Sequence, residues 1–213
     1  MTHSFDRAYW QQHWQQASGA RPGSAAGNPP SPYLAAETAG LAPGTALDAG
    51  CGAGAEAIWL ATHGWRVTAA DISADVLARA AARATASGLA ASIRWVEADL
   101  TAWDPGLRFD LVTAHYAHSA MPQLAFYQRI SDWVAPGGTL LIVGHLPTPP
   151  STGHAHGHGH PAAATVTRAD ITAGLDAAAW KIVTAEEHQR PVPGPGGQPV
   201  LLHDVVVRAT RQP

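Results

Sequence analysis

Short apolar stretches alternate with stretches of helical composition from residue 45 to residue 99. TALDAG, RVTAAD and IRWVEAD have the length and apolar character of buried strands, and AEAIWLATHG and SADVLARAAARATASG favour helices between them. In the second helix Ser73 is placed to cap the start and Gly88 to end it. Strands joined through a helix run parallel and are buried on both faces, so this order predicts a mainly parallel α/β sheet.

The segments after residue 107 continue this pattern and then depart from it. RFDLVTAH and GGTLLIVGH predict two more strands, separated by a helix in MPQLAFYQRISDWVA that ends at Pro136. A further helix in VTRADITAGLD has Thr167 as its predicted cap. The last two strands, WKIVTAEEHQ and VLLHDVVVRAT, are joined by a Pro/Gly loop instead of a helix. They therefore predict a hairpin, in which at least one strand runs antiparallel to its neighbour.

The composition is that of a globular protein without a strongly charged partner. We expect one domain, residues 1–213, with 46% apolar and 14% charged side chains. The net charge of −3 provides no general attraction to nucleic acid or to an anionic membrane. Cys51 is the only cysteine, which excludes an intrachain disulfide, and its place in a turn favours packing over nucleophilic chemistry. Without a signal-peptide or membrane-spanning pattern, the expected location is cytoplasmic. The oligomeric state cannot be read from the sequence.

Aromatic side chains recur at helical spacing near the start of the chain. Phe5, Tyr9, Trp10 and Trp14 fall on one side of a helix predicted within residues 1–16. Such a stripe is explained by ordinary packing, or by a lid over a ligand. Residues 17–32, ASGARPGSAAGNPPSP, have linker composition and predict a flexible loop.

The sequence ALDAGCGAG places glycines on alternate positions just after an acidic residue. Glycine allows a left-handed backbone and a close approach of ligand to main chain, so the turn between strand and helix predicts a binding loop. Gly50, Gly52 and Ala55 also satisfy a dinucleotide fingerprint. A diphosphate bound there would be repelled by Asp48, whereas a cationic ligand would not.

In this turn and the motifs that follow it, residues 44–145 resemble the class I S-adenosylmethionine-dependent methyltransferases. The family motif (L/V)DxGCGxG is matched at residues 47–54, and FDLVTAHYAHSA and VAPGG match later motifs. The resemblance implies a Rossmann-like, seven-stranded, mainly parallel sheet with a reversed C-terminal strand and helices on both faces. It also implies S-adenosylmethionine as cofactor and S-adenosylhomocysteine as product.

The resemblance further implies which residues contact the cofactor. Asp71 would accept hydrogen bonds from the ribose hydroxyls, since an ionised carboxylate is only an acceptor, and Asp99 would meet the adenine amino group. Either aspartate could instead cap the turn that follows it. The predicted cofactor contacts are Asp48, Gly50 and Gly52 for the methionine half, Asp71 for the ribose, Asp99 and Leu100 for the adenine, and also Gly54, Ile72 and His115.

The acceptor side is predicted from the segment after the fourth strand and from the N-terminal helix. His115 is the predicted catalytic residue, as a general base, although it could also line the pocket, and Tyr116 and His118 would contact the acceptor. Many methyl transfers need only in-line placement and no base. Trp10 and Trp14, in YWQQHW, are similar to the N-terminal segment of thiopurine and thiol methyltransferases, where such a helix folds over the cofactor. Acceptor contacts are also expected from this helix and from the His-rich loop of residues 147–161.

Two other functions stay open from the sequence. The dinucleotide fingerprint with Asp71 also fits an NAD(P)-dependent oxidoreductase, although the only lysine is Lys181 and no catalytic Tyr/Lys pair is evident. The run from His154 to His160 would suit a non-catalytic metal-binding or sensing protein, but its alternation with Gly and Ala offers no fixed geometry, so no metal is predicted. The predicted function is methyl transfer to a small-molecule acceptor, without a nucleic-acid or membrane partner.

Overall fold

The computed structural model describes residues 5–19, 29–147, 164–193 and 199–213. Its strands are β1 (Thr45–Ala49), β2 (Arg66–Asp71), β3 (Ile93–Glu97), β4 (Phe109–His115), β5 (Val134–His145), β6 (Trp180–Pro193) and β7 (Pro199–Arg211). Its helices are α1 (Arg7–Gly19), α2 (Leu34–Thr38), α3 (Ala55–Thr62), α4 (Ala74–Ala86), α5 (Gln123–Ser131) and α6 (Arg168–Ala173). Within the described ranges, no helix has both the length and the apolar character needed to cross a membrane.

The strands form one seven-stranded sheet in the order β3-β2-β1-β4-β5-β7-β6. The pairs from β3 to β5 are parallel, and β7 runs antiparallel to both β5 and β6. This confirms the predicted Rossmann-like sheet, the C-terminal hairpin and the reversed last strand. Because β7 is reversed, its beginning lies at the same edge of the sheet as the carboxyl ends of the other strands.

The core lies on both faces of the sheet. Successive residues of a strand point to opposite faces, so Leu111 and Leu141 join one buried cluster while Val112 and Leu140 join the other. Helices α3 and α4 contribute to the first cluster, and α5 and α6 to the second. Each fully buried leucine stabilises the packing of the helices on the central strands by about 1.5–3 kcal/mol.

The predicted helix between the fourth and fifth strands is too long. The observed helix, α5, ends at Ser131 and does not continue to Pro136. Val134 is already fully buried and pairs with Phe109 at the start of β5. Gly137 follows with φ of 76°, where the strand pairing is irregular. Burial and sheet pairing therefore override the helical composition of DWVA.

The predicted caps differ in outcome. Ser73 is the N-cap of α4, but its side chain makes no capping bond, and Gly88 after that helix has φ of 72°. Thr167 caps α6 in a complete capping box with Asp170, so that prediction is confirmed. Helix α1 continues through residue 19, so the predicted loop is wrong for residues 17–19, and residues 20–28 lie outside the described residues.

Candidate active site

A cavity of about 870 Å³ opens at the carboxyl edge of the sheet, beneath α1. Its wall includes the turns after β1, β2, β3 and β4, the ends of β5 and β6, the first part of β7, and one face of α1. Small-molecule pockets typically enclose about 300–1,000 Å³, so the volume is sufficient for a nucleoside cofactor together with a small acceptor.

The glycine turn between β1 and α3 forms one wall of the cavity. Gly50, Gly52 and Gly54 all have left-handed φ angles, of 77°, 48° and 75°. A Cβ at Gly50 would lie 2.5 Å from the Ala117 Cβ, so this glycine is also required by space. Gly50 and Gly52 line the cavity. Gly54 faces inward, and a Cβ there would lie 2.6 Å from the Trp95 ring, so its role is packing.

Asp71, at the end of β2, holds the glycine turn in place. Its Oδ2 accepts a hydrogen bond from Gly52 N, and its Oδ1 accepts one from Ser73 N, both at 2.9 Å. Burial raises the pKa of Asp71, and these backbone donors oppose that rise. Asp71 and the adjacent Ile72 line the cavity, as the predicted ribose contact requires.

Asp48 lies beneath the glycine turn and does not line the cavity. The residue is 1% exposed, and among the described residues its Oδ2 has no hydrogen-bond partner. Burial, with the nearby carboxylates of Glu56 and Asp71, raises its pKa well above the ordinary value. This placement does not support the predicted direct contact between Asp48 and the cofactor.

Glu56, and not Asp48, presents a carboxylate to the cavity beside the glycine turn. It lies in the first turn of α3, lines the cavity, and its Oε1 accepts a hydrogen bond from Ser31 N at 2.9 Å. Burial raises the pKa of Glu56. The sequence did contain a signal for it, since an acidic residue in the first turn of the helix after a glycine turn interacts favourably with the helix dipole.

Asp99 and Leu100 follow β3 and line the cavity as predicted. The Oδ1 of Asp99 accepts hydrogen bonds from Thr101 N at 2.9 Å and Thr101 Oγ1 at 2.7 Å. The capping role left open in the sequence analysis is therefore real, and it leaves the exposed side chain at the cavity wall. Leu100 is buried and provides an apolar surface beside it.

Helix α1 covers the cavity and contacts both of its ends. Arg7 donates to the Ile72 carbonyl at 2.9 Å and pairs with Glu97 at the end of β3. Trp10 Nε1 donates to the His118 carbonyl at 3.2 Å, at the other end of the cavity. Trp14 lies over Gly52, where an added Cβ would be 3.0 Å from its ring. Both tryptophans line the cavity, which makes α1 part of the site.

The segment after β4 brings the predicted acceptor-side residues to the cavity wall. His115 is buried, both of its ring nitrogens lack partners among the described residues, and burial lowers its pKa to about 3. Tyr116 has a φ of 52°, a strained conformation for a non-glycine residue that is typical of functional sites. The Nδ1 of His118 lies 3.0 Å from the Gln123 Oε1. His115, Tyr116 and His118 all line the cavity.

A polar cluster that the sequence analysis missed lies where the C-terminal hairpin meets β5. The side chain of Asp204 is fully buried, and its Oδ2 accepts hydrogen bonds from Arg190 Nε at 2.6 Å and Tyr33 Oη at 3.0 Å. Its Oδ1 lies 3.6 Å from His145 Nδ1. Burial raises the pKa of Asp204, but these partners outweigh it and hold the pKa at about 2. An acidic residue inside the apolar run VLLHDVVV was the available sequence signal.

The cluster extends to the segment after β4 and to the cavity. Arg190 Nη2 donates to Tyr116 Oη at 3.1 Å. The Tyr116 ring stacks on the His145 ring, with centroids 4.5 Å apart. Arg190, Tyr116 and His145 all line the cavity. The cavity therefore has two parts, which we call the carboxylate half (Gly50, Gly52, Glu56, Asp71, Asp99) and the cluster half (Tyr116, His118, His145, Arg190).

No metal site is formed by the part of the chain that the structure describes, since it contains no group of three or more His, Cys, Asp or Glu side chains that could hold a metal ion. The run from His154 to His160 lies outside the described residues. The metal-binding alternative therefore stays a prediction.

The central part of the chain is similar to known methyltransferases. Residues 46–138 match a family model described as a methyltransferase domain. An uncharacterized methyltransferase of Mycobacterium tuberculosis is 41% identical over 99 residues, which cover 46% of this chain and 48% of that protein. The chain thus matches about half the length of this relative. A probable thiol methyltransferase of Arabidopsis thaliana is 28% identical over 137 residues, 62% of this chain and 59% of that one.

A solved structure shares the fold over the whole chain. The magnesium protoporphyrin IX methyltransferase of Synechocystis, crystallised with bound S-adenosylmethionine, superimposes with a TM-score of 0.68 and covers 100% of both chains at 16% identity. The predicted resemblance to class I S-adenosylmethionine-dependent methyltransferases is confirmed by these comparisons. S-adenosylmethionine is the cofactor that this family uses.

Proposed function

We propose that the chain, whose residues 46–138 match a methyltransferase domain, transfers a methyl group from S-adenosylmethionine to a small-molecule acceptor. The observation that carries this proposal is that the carboxylate half and the cluster half belong to one continuous cavity beneath α1. Cofactor and acceptor must meet for in-line transfer, and one continuous space holds both in contact.

The carboxylate half fits S-adenosylmethionine by its chemistry. The main chain at Gly50 and Gly52 is bare of side chains, and Glu56 would hold the protonated amine of the methionine part. Asp71, next to Ile72, would accept hydrogen bonds from the ribose diol, and Asp99 with Leu100 would meet the adenine. When bound, the cofactor supplies a methyl group on an activated, positively charged sulfur.

The same charges argue against a nicotinamide dinucleotide. Asp48, Glu56 and Asp71 lie around the glycine turn, and each has a pKa raised by burial, a sign that added negative charge is unfavourable there. A diphosphate would bring such charge to the turn, whereas a sulfonium and an ammonium would not. The geometry therefore favours methyl transfer over the oxidoreductase alternative.

The cluster half supports a small acceptor. Helix α1 covers the cavity and contacts both ends of it through Arg7 and Trp10, which limits the access of a macromolecule to the site. The wall around the acceptor combines aromatic rings with Val192 and Leu202, beside the polar groups of Arg190. We propose an acceptor with an apolar body and one polar reacting group.

Calorimetry and product analysis test this function. We expect S-adenosylhomocysteine to bind in a one-to-one ratio and NADH not to bind. Incubation with S-adenosylmethionine carrying a deuterated methyl group, together with a panel of thiols, phenols and amines, should yield a labelled methyl product by mass spectrometry. Binding of NADH without binding of S-adenosylhomocysteine would contradict the proposal.

A further inference from the structure

We propose that His145 is the general base of the methyl transfer, positioned by Asp204, and that the acceptor is a protic group, a thiol or a hydroxyl. This inference rests on the proposed methyltransferase function and names the acceptor chemistry of the same site. His145 is the last residue of β5, and the polar cluster around it includes residues of β6, of β7 and of the segment after β4.

The pairing of His145 with Asp204 is set by the sheet. The two residues are direct register partners between β5 and the antiparallel β7, at the edge that carries the cavity. Their Nδ1 and Oδ1 atoms are 3.6 Å apart, which is longer than a hydrogen bond, and catalytic hydrogen bonds are often long in proteins without bound ligand. A carboxylate facing Nδ1 favours the proton on that nitrogen and leaves Nε2 as the proton acceptor.

The remaining contacts of Asp204 keep it ionised and oriented. Arg190 and Tyr33 both donate to Oδ2, so Oδ1 is the oxygen directed to His145. Among the described residues, the titratable groups that face His145 include Asp204 from β7, and Tyr116 and His118 from the segment after β4, whose ring centroids lie 4.5 Å and 6.3 Å away. The positive charge of Arg190 is compensated by Asp204.

Two other histidines of the wall are less suited to take a proton. The pKa of His115 is lowered to about 3 by burial, so at neutral pH it is a weak proton acceptor, and no carboxylate faces it among the described contacts. His118 also has a pKa lowered by burial, and its Nδ1 lies within hydrogen-bonding distance of Gln123. Of these three histidines, His145 is the one that faces a carboxylate.

A base of this kind is required only by an acceptor that is protonated at neutral pH. Aliphatic thiols have a pKa of about 8.5 and phenols about 10, so both react faster when the proton is removed. The Nε2 of His145 takes the proton from the S–H or O–H group, and the acceptor's electron pair forms the new bond to the methyl carbon. The electron pair of the old bond stays on the cofactor sulfur, and His145 carries the proton until it is released to solvent.

Two thiol acceptors of similar shape but different pKa show whether His145 acts as a base or only supports the structure of the site. Phenylmethanethiol is protonated at neutral pH, whereas 4-nitrobenzenethiol is already ionised. We expect His145→Asn to lower the saturated rate with phenylmethanethiol about 10²–10⁴-fold and to remove the acidic limb of its pH profile. With 4-nitrobenzenethiol the same variant should stay close to the wild-type rate. His203→Asn, on the same hairpin but outside the cavity wall, is the matched control and should leave both rates unchanged.

Asp204→Asn tests the positioning role separately. The neutral amide should shift the tautomer of His145 away from the Nδ1-protonated form, measured by ¹⁵N NMR of the imidazole, and should move the acidic limb of the phenylmethanethiol profile. Because this variant also removes the counter-charge of Arg190, its S-adenosylhomocysteine affinity is measured first, and Tyr33→Phe, which keeps the carboxylate, serves as a milder second variant.

The possible results distinguish a failure of the His145 assignment from a failure of the proposed methyltransferase function. Equal losses on both thiols in His145→Asn, with S-adenosylhomocysteine affinity retained, would overturn the assignment of His145 as base. The wild-type protein is also assayed with 4-methylphenol as a hydroxyl acceptor. A wild-type protein that binds S-adenosylhomocysteine but methylates only amines, or methylates neither the two thiols nor 4-methylphenol, would overturn the assignment of a thiol or hydroxyl acceptor. A wild-type protein that binds no S-adenosylhomocysteine would instead contradict the proposed function itself.

Discussion

The backbone N–H of Gly52 donates to the Oδ2 of Asp71 at 2.9 Å, which ties the turn after β1 to the end of β2. The second oxygen of Asp71 accepts a hydrogen bond from Ser73 N, also at 2.9 Å. One carboxylate thus holds the glycine turn in place and lines the cavity where a ribose would lie. Its removal should therefore affect both the fold and the binding of cofactor.

Asp71→Ala should weaken the binding of S-adenosylhomocysteine by roughly 1–3 kcal/mol, because charged hydrogen bonds to the ligand and to the turn are lost together. Calorimetry measures this change, and urea unfolding measures the accompanying loss of stability. Asp75→Ala, in the exposed first turn of α4, is the control. An affinity for S-adenosylhomocysteine equal to that of the control would remove Asp71 from the cofactor site.

Gly50→Ala should destabilise the protein by more than the usual penalty for a left-handed alanine. Gly50 has φ of 77°, and the new Cβ would lie 2.5 Å from the Ala117 Cβ. Gly88→Ala is a matched control, since its φ is 72° and nothing lies within 4 Å of the new Cβ. By urea unfolding, we expect Gly88→Ala to lower the free energy of unfolding by about 1 kcal/mol and Gly50→Ala to lower it by about 1–3 kcal/mol more than that. Equal values would show that Ala117 moves away freely.

Trp10→Phe should loosen α1 without removing its apolar packing. The substitution deletes the Nε1 donor to the His118 carbonyl, a bond of 3.2 Å, which contributes about 0.5–1.5 kcal/mol. Amide hydrogen exchange in α1 should become faster, and the KM for the acceptor should rise. The variant Gln12→Ala, on the exposed side of the same helix, should change neither. Unchanged exchange in Trp10→Phe would show that this bond does not hold the helix over the cavity.

Asp48→Asn should flatten the decline of stability with rising pH. Burial raises the pKa of Asp48 well above its unfolded value of 3.8, so the folded protein holds this proton longer than the unfolded chain. The associated stability is fully present below the unfolded pKa and is lost as pH rises through the folded pKa. Urea unfolding between acidic and neutral pH should show a smaller decline in Asp48→Asn and a higher stability at neutral pH. Asp75→Asn is the exposed control and should show the same decline of stability with pH as the wild type. An equal decline in Asp48→Asn would show that Asp48 is not the source of this pH dependence.

Local sequence patterns predicted the sheet and the glycine turn of the carboxylate half. The alternation of strands and helices is a property of consecutive residues, and so is the need for glycine at Gly50 and Gly52, where the backbone is left-handed. Thr167 was predicted as a cap because its partner Asp170 is three residues away. Ser73 stands at the cap position of α4 as predicted, but its backbone N–H donates to Asp71, and its side chain makes no capping bond.

The sequence by itself determined the fold class, the glycine turn and the edge of the sheet at which a ligand would bind, because these depend on periodicity and backbone conformation within short segments. Only the tertiary structure decided that Glu56 and not Asp48 faces the cavity, since burial of a side chain depends on what packs above it. The pairing of His145 with Asp204 was likewise decided by the register of two antiparallel strands that are distant in the chain. Such contacts leave no local pattern, because nothing near either residue specifies its partner.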